Sequence, residues 1–450
     1  MIKHNRDIQF QIAVIVISLL TFFSNFFTFP GEDIQVARLD YQSGKASDFQ
    51  SAIASIFYGS LPNQFFEWWQ YLILIQLSLA AIGLYLLLKR HVRNSKKIYF
   101  IVIIFFFYLI INISTTQSRD GIMIASTLFL LGLMANYPTN LKISLLSFSI
   151  YLFAFSFRPW LAIALFPLFL LHLKINLNIK FVLRLLFTII LIIMPSISNI
   201  VISNFFDIKP AYPQQTVMIH DLSTTYCLSP ISKSRQVAYD GLSNIFRDSD
   251  SPSRLCNFYK PNTWQSVIDT WQQIENEPKF IESFSPDSVP PIKFIRVGDK
   301  ISYDKLQTAW INLIIEDPKS YIQNHLYFLT QVLIAGESPS FNLKESIIQL
   351  QSNYTLINFF KLLQDIFNLP WKVLIQIHII SPAAVLILLL SLFWQKPHLV
   401  SHSYISALII MFFIWVGLTT LGYVSDNGRY TYLPCILIYG KLLVNLNSKN

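Results

Sequence analysis

Long apolar runs are the feature that most constrains the fold of this chain. Of its 450 residues, 53% are hydrophobic and only 13% are charged, a balance far from that of a soluble domain. Runs long enough to cross a hydrocarbon core about 30 Å thick recur along the whole sequence. They lie at 10–29, 67–89, 97–113, 120–136, 142–157, 159–174, 180–203, 371–394, 403–423 and 430–446. The sequence therefore predicts an all-α polytopic membrane protein with about ten transmembrane helices.

Three of these runs need further interpretation. The run 10–29 has no small-residue cleavage site after it, so it is predicted to be a retained span and not a removable signal. The runs 142–157 and 159–174 are separated by a single residue, Arg158. They can form two spans, a re-entrant hairpin or one kinked helix.

Lysine and arginine collect in segments that fall on one side of the membrane if the runs alternate. These residues are Lys3, Arg6, Lys89, Arg90, Arg93, Lys96, Lys97, Lys174, Lys180, Arg184 and Lys396. By the positive-inside rule that side is the cytoplasm, so both termini are expected there. The same clustering explains the formal net charge of +9, and no nucleic-acid partner is expected.

The outer side then receives two long segments, 30–66 and 204–370, and the chain divides into three predicted parts. Residues 1–203 form an N-terminal membrane region, 204–370 an extracytoplasmic segment with amphipathic helices, and 371–450 a C-terminal membrane region. Within the middle part, 305–335 has helical spacing interrupted at Asp317-Pro318. Cys227 and Cys256 also lie there and either form a disulfide or stay reduced.

Several common functional sites are absent from the sequence. It contains no Walker A loop, no glycine-rich dinucleotide fingerprint and no HExxH or paired CxxC metal motif. With 13 glycines in the whole chain, a phosphate-cradling loop of the nucleotide-binding type is not expected. These absences argue against an ATP-driven transporter.

Charged residues near the ends of apolar runs on the outer side have no topological explanation. They are Asp33, Arg119, Asp120, Arg158, Asp426 and Arg429. Unpaired charges are costly to bury beside a membrane, so both signs in otherwise short loops favour a function. A carboxylate can remove a proton from an acceptor hydroxyl, and guanidinium groups bind phosphate through two parallel hydrogen bonds. Together they suit transfer of a sugar from a lipid-linked phosphate.

Short motifs spread over most of the chain carry a family resemblance. The segment after the first run contains Pro30, Gly31, Asp33, Gln35, Gly44, Ser47, Asp48 and Phe49. Further motifs are Arg119-Asp120, Arg158 before Leu165-Phe166-Pro167-Leu168, His220-Asp221-Leu222-Ser223, Trp310 with Asp317-Pro318 and Tyr321, and Gly428-Arg429-Tyr430 with Pro434. In these residues the chain resembles the GT-C class of integral-membrane glycosyltransferases, in particular a bacterial, polyprenyl-phosphate-sugar-dependent branch.

The resemblance implies a role for each site residue. Asp33 would be the catalytic base, with Glu32, Asp40 and Asp48 as alternatives, or else the N-cap of a helix that starts at Ile34. Asp120 would position the acceptor. The donor phosphate would be bound by Arg119, Arg158 and Arg429, although each arginine can instead pair with a nearby carboxylate, as Arg429 can with Asp426. Support or acceptor contacts are assigned to Asp48, His220, Asp221 and Asp426.

The resemblance also implies the partners and the location. The donor would be a polyprenyl-phosphate-linked sugar and the acceptor a glycan, lipid or protein, with membrane lipid around the chain. The resemblance makes no cofactor certain and leaves metal dependence open; a divalent metal, where one is used, would be bound by Asp120. The chain would be a multi-pass protein of the bacterial inner membrane with its site facing the periplasm or exterior. The family's usual His-Pro is replaced by Gln50 and Ser51, and the spacing from Pro-Gly to Asp33 is compressed.

Three other classes of protein remain as alternatives. An O-antigen-type polysaccharide polymerase would have a similar number of spans, but a largest outer loop richer in arginine than 204–370. A lipid-linked glycan flippase or transporter should carry paired charges in the middle of its spans, and the apolar runs here are almost free of charge. A non-catalytic membrane scaffold is the third alternative.

Overall fold

The structure, a computed structural model, describes part of the chain. The described residues are 2–25, 32–44, 51–94, 97–115, 119–136, 141–167, 170, 180–208, 212, 214–243, 256, 271–272, 294–295, 300–334, 382–394 and 402–421. They belong to two compact units. The first unit comprises Met1–Lys209, Gly336–Trp415 and Gly428–Asn450, and the second comprises Pro210–Ala335 and Val416–Asn427.

The regular secondary structure of the described residues is helical apart from one short strand pair. The helices before residue 209 are α1 (Ile2–Asn25), α2 (Glu32–Gln42), α3 (Ala52–Ser60), α4 (Trp68–Asn94), α5 (Lys97–Ser114), α6 (Arg119–Asn136), α7 (Leu141–Ser156), a 3₁₀ helix (Pro159–Leu165) and α8 (Phe181–Phe205). Those that follow are α9 (Gln215–Leu228), α10 (Ser232–Ser243), α11 (Lys300–Glu316), α12 (Pro318–Ile334), α13 (Pro382–Trp394) and α14 (His402–Leu421). Strands β1 (Trp271–Gln272) and β2 (Phe294–Ile295) pair in parallel.

Apolar helices indicate that the protein is associated with a membrane. Three described helices are long and apolar enough to cross one, over Arg6–Asn25, Trp68–Lys89 and Phe181–Phe205. Shorter apolar helices cover Asp120–Leu133, Leu145–Ser156 and Ile405–Leu418. The count of ten spans stays a prediction, and the predicted span at 430–446 lies outside the described residues.

The region around Arg158 excludes one of the three interpretations given above. Helix α7 ends at Ser156, and Arg158 has φ −147° and ψ 76°, outside the helical region. A residue that precedes proline is disfavoured in the α conformation, and Pro159 then opens the 3₁₀ helix. This break excludes the alternative of one kinked helix, and the choice between two spans and a re-entrant hairpin stays open.

Side-chain contacts show which helix ends lie together. Gln11 Nε2, in the first half of α1, donates to the Tyr85 hydroxyl, in the second half of α4, at 3.0 Å. The Phe10 ring packs against both Tyr85 and Phe107 of α5. At the other end of α1, Asn25 Nδ2 lies 3.4 Å from Thr115 Oγ1, just past α5. The end of α1 and the end of α5 thus meet at one end of the bundle, called the α2 end below.

Two glycines allow α4 and α6 to pack closely. A Cβ atom added to Gly83 would lie 2.5 Å from the backbone carbonyl of Leu128, and one on Gly132 would lie 2.6 Å from the carbonyl oxygen of Gly83. Small residues at membrane helix interfaces allow backbones to approach in this way. The α4–α6 pair therefore depends on the absence of side chains at both positions.

A proline in α8 is compensated by a neighbouring helix. Pro195 has no N–H, so the carbonyl of Leu191, four residues earlier, loses its usual helical partner. The Tyr151 hydroxyl of α7 donates to that carbonyl at 2.7 Å. An unsatisfied backbone carbonyl is costly in an apolar environment, so this hydrogen bond stabilises the contact between α7 and α8.

In the second unit, helices α9, α10 and α11 pack around a buried cluster. Its core comprises Met218, Ile219, Leu222, Ala238, Leu242, Leu306 and Leu313. The predicted break after α11 is confirmed: Asp317 Oδ1 accepts from the Ser320 N–H at 3.0 Å, and Pro318 is the first residue of α12. Asp317 is thus the N-cap of α12, and proline is well suited to the first helical position.

We expect Gly83→Ala to lower the thermal stability of the detergent-solubilised protein. The added methyl would force the α4 and α6 backbones apart, at a cost of about 1–3 kcal/mol. Gly417→Ala is the matched control, since a Cβ there meets nothing within 4 Å and alanine is the better helix former. Equal melting temperatures for the two variants would contradict the close contact.

Candidate functional site

The 30–66 segment, predicted to be the first outer loop, contains two helices. Glu32 and Asp33 are the first two residues of α2, so Asp33 is not the N-cap of a helix that starts at Ile34. That alternative is wrong. Asp40 lies in the last turn, where its carbonyl oxygen accepts from the Ser43 hydroxyl at 3.1 Å.

One buried cluster brings together the elements that carry three of the predicted site residues. Ile34, which follows Asp33, is fully buried in it, as are Ile122, two residues after Asp120, and Phe157, which precedes Arg158. Further members are Ala37, Ala54, Tyr58, Leu61, Trp68 and Leu72. The start of α2, the first turn of α6 and the end of α7 are therefore packed together at the α2 end of the bundle.

An ion pair lies beside this cluster. Arg158 Nε is 2.6 Å from Asp120 Oδ1, and Arg158 Nη2 is 3.4 Å from Asp120 Oδ2. Both side chains are nearly inaccessible, at 7% and 6% exposure. A charge this deeply buried is tolerated only with a partner of opposite sign, so each residue holds the other in place. Two roles are expected for Arg158 from the sequence, binding of the donor phosphate and pairing with a nearby carboxylate. In the structure Arg158 is paired with a carboxylate.

Arg38 is a buried cation that sequence reasoning missed. Its Nη1 donates to the carbonyl oxygens of Tyr58 at 2.7 Å and Leu61 at 2.8 Å, and its guanidinium lies 4.9 Å from the centre of the Trp68 ring. Carbonyls at the C-terminal end of a helix have no helical partner, so Arg38 of α2 caps α3. Burial lowers the pKa of Arg38, whereas the nearby Glu67 raises it. The sequence does contain a signal for Arg38: Ile34, Ala37 and Arg38 are three and four residues apart and lie on one face of a helix. A shared face indicates that Arg38 is buried together with the two apolar residues.

In the second unit, Asp221 lies at the centre of a separate polar cluster. Asp221 Oδ2 accepts from Trp310 Nε1 at 2.7 Å, and Asp221 Oδ1 lies 3.3 Å from His325 Nε2. The three residues come from α9, α11 and α12. Asp221 is only 1% exposed and His325 7%, and the His325 ring packs edge-on against Tyr321. The sequence indicated His220 and Asp221, whereas the contribution of His325 was missed.

Burial shifts the ionisation of two residues around Asp221. Desolvation lowers the pKa of His220 to about 4, against an opposing effect of the Asp221 charge. Tyr321 has a pKa raised to about 12, chiefly by burial and further by the Asp221 charge. His220 is therefore neutral at physiological pH, with its Nδ1 atom 3.4 Å from the Thr224 hydroxyl.

The remaining predicted residues are distributed as follows. Arg119 is the first residue of α6, directly before Asp120. Cys227 and Cys256 form a disulfide and are not reduced, which decides between the two alternatives given by the sequence. Asp48, Asp426 and Arg429 lie outside the described residues. Within the described ranges, no three histidine, cysteine or acidic side chains are grouped as ligands for a metal ion.

Comparisons with known proteins add no relative. No family model matches the chain, no curated protein does, and no solved structure resembles it closely enough to count as a match.

We expect Asp120→Asn to destabilise the protein by about 3–5 kcal/mol, since it removes the carboxylate charge that lies against the buried Arg158 guanidinium. The double variant Asp120→Asn with Arg158→Gln removes both charges and should recover much of that loss. Denaturant titration of the purified protein measures both variants. A double variant as unstable as the sum of its two single variants would contradict mutual compensation.

The low pKa of His220 predicts a specific pH dependence. Between about pH 6.5 and pH 4, the unfolded chain binds a proton at His220 that the folded chain does not. The stabilisation from the neutral ring is therefore complete above pH 6.5 and falls by about 3 kcal/mol as the pH drops to about 4. Thermal unfolding of wild type and His220→Gln over this range tests it. Parallel pH curves for the two would contradict the burial of a neutral imidazole.

Proposed function

We propose that this protein is a membrane glycosyltransferase that moves a sugar from a polyprenyl-phosphate donor to an acceptor at the outer membrane face. The acceptor would be a cell-envelope glycan, a lipid or a protein. One observation carries the proposal: the helix that opens with Glu32-Asp33 is packed in the same cluster as the flanks of the Asp120–Arg158 pair. Elements that carry acidic and basic residues far apart in sequence are thus packed together, and in the proposal a lipid-linked donor approaches them from the bilayer.

The proposed reaction uses Asp33 as a general base. The carboxylate accepts the proton of an acceptor hydroxyl while the hydroxyl oxygen attacks the anomeric carbon of the donor sugar. The bond between that carbon and the phosphate oxygen breaks, and its electron pair leaves on the lipid phosphate. A guanidinium group beside the phosphate stabilises the departing charge.

The arginines share this work unequally in the proposal. Because Arg158 is paired with Asp120, much of its field is cancelled, and the pair serves to fix the end of α7 against the start of α6. Arg119, beside the pair in sequence, and Arg429 of the similar RY-x-x-P motif are then proposed to bind the donor phosphate. Asp120 positions the acceptor only through this fixed arrangement.

The disulfide supports an extracytoplasmic position for the second unit. Disulfides persist in oxidising compartments such as the bacterial periplasm and are rare in the cytosol. The Cys227–Cys256 bridge therefore fits the topology expected from the lysine and arginine distribution. We infer an inner-membrane protein whose 30–66 and 204–370 segments both face outward.

We expect Asp33→Asn to reduce sugar transfer by about 100-fold or more, the usual contribution of a general base. The assay follows labelled sugar from polyprenyl-phosphate-linked hexoses into the cell-envelope fraction of membranes that contain the protein. Glu32→Gln and Asp40→Asn are the matched carboxylate controls and should keep most of the activity, and all three variants should insert at wild-type levels.

Full activity in Asp33→Asn would remove the proposed base. Loss confined to Glu32→Gln would move that role by one residue. If wild-type membranes transfer none of the sugars, the glycosyltransferase proposal itself fails.

A further inference from the structure

One side chain that no sequence motif indicated, Asn199, forms hydrogen bonds between α3, α7 and α8. We call this contact the joint below. Asn199 lies in α8, four residues after Pro195. Its Oδ1 accepts from the backbone N–H of Ile53 in the first turn of α3 at 3.3 Å. Its Nδ2 donates to the carbonyl oxygen of Ser156, the last residue of α7, at 2.7 Å and to that of Pro195 at 3.2 Å.

Both helix ends that Asn199 contacts have backbone groups without a helical partner. The first N–H groups of a helix and its last carbonyls cannot bond within it. Asn199 is suited to both, since its amide carries one acceptor oxygen and two donor hydrogens. One side chain therefore links the start of α3, in the 30–66 segment, to the end of α7, two residues before Arg158.

Ser51 provides a second, independent sign that this joint is fixed. It precedes α3 with φ +73° and ψ 143°, a region that residues with a side chain rarely adopt. Its hydroxyl accepts from the Ala54 N–H at 3.2 Å, and its carbonyl accepts from the Ser55 N–H at 3.1 Å. Such a conformation persists only where the surroundings hold it. Asn199 supplies a hydrogen bond from outside the segment, in addition to the packing of Phe57 and Tyr58 of α3 against Phe157.

We propose that Asn199 is a positioning residue that sets the distance between the 30–66 segment and the Arg158 end of α7. The inference rests on the proposed function, since those two elements carry the proposed base and the arginine pair. A displacement of about 1 Å between reacting groups can lower a catalytic rate about 100-fold. Asn199 touches no reacting group in this scheme and acts through the placement of α3.

The first test needs no activity. Hydrogen–deuterium exchange of the full-length protein in lipid nanodiscs reports on the amides at the start of α3. In Asn199→Ala the Ile53 region should exchange about tenfold faster, in line with the loss of one hydrogen bond. Ser198→Ala is the matched control: it removes the contact between the Ser198 and Ser156 hydroxyls at 2.8 Å but leaves α3 untouched. Equal exchange in both variants overturns the proposal.

The second test uses the transfer assay with polyprenyl-phosphate-linked hexoses. Asn199→Ala should lower kcat about 100-fold with little change in KM for the donor, because the arginines proposed to bind phosphate lie outside the 30–66 segment. Ser198→Ala should keep near-wild-type kcat. Faster exchange at Ile53 with an unchanged kcat would overturn the positioning role.

Asn199→Asp separates the two halves of the joint. A carboxylate still accepts from the Ile53 N–H, and the start of a helix favours a negative charge, but it cannot donate to the Ser156 carbonyl. We expect protected exchange at Ile53 together with a low kcat, and a wild-type kcat would overturn the proposal. Should the wild type transfer no sugar, the proposed function fails, and the exchange data alone decide whether Asn199 holds α3.

Discussion

The cost of burying an ion pair constrains the α2 end of the bundle. Asp120 and Arg158 lie on different helices, are separated by 38 residues and are both nearly inaccessible. Neither charge can remain there alone, so the start of α6 and the end of α7 must stay together. The apolar cluster around Ile122 and Phe157 is thereby fixed, and α2 packs on it through Ile34. This interaction therefore contributes to the placement of the acidic segment that begins at Glu32.

Satisfaction of backbone groups explains three further polar contacts among the described residues of the first unit. Tyr151 bonds the carbonyl freed by Pro195, Arg38 caps the carbonyls at the end of α3, and Asn199 joins the start of α3 to the end of α7. In an apolar environment each unpaired group would cost several kcal/mol. Polar side chains within this unit thus mark the positions where a helix ends or is interrupted, and these contacts hold the 30–66 segment in place.

The sequence predicted the elements whose signal is local. Apolar runs located α4 to α7 to within a few residues, and Asp317-Pro318 marked the break between α11 and α12, because length, hydropathy and capping act over a few neighbouring positions. Partners far apart in sequence could not be found this way. Nothing in the sequence near Asp221 points to Trp310, 89 residues away, and nothing near Ile53 points to Asn199. In the 30–66 segment, a helix from Ile34 was only one alternative, because the polar composition of α2 is typical of a loop. Helix α3 was missed because its nine residues are too short to register as an apolar run that crosses a membrane.

The claim that this acidic segment and the Asp120–Arg158 pair face the outside is tested most directly by cysteine labelling in intact cells. With Cys435 replaced, single cysteines at Leu39, exposed on α2, and at Lys142, exposed at the opposite end of α7, are treated with a membrane-impermeant maleimide. The account predicts that Leu39→Cys is labelled in intact cells, whereas Lys142→Cys is labelled only after the membrane is permeabilised. The reverse pattern would place the candidate site in the cytosol and contradict the account.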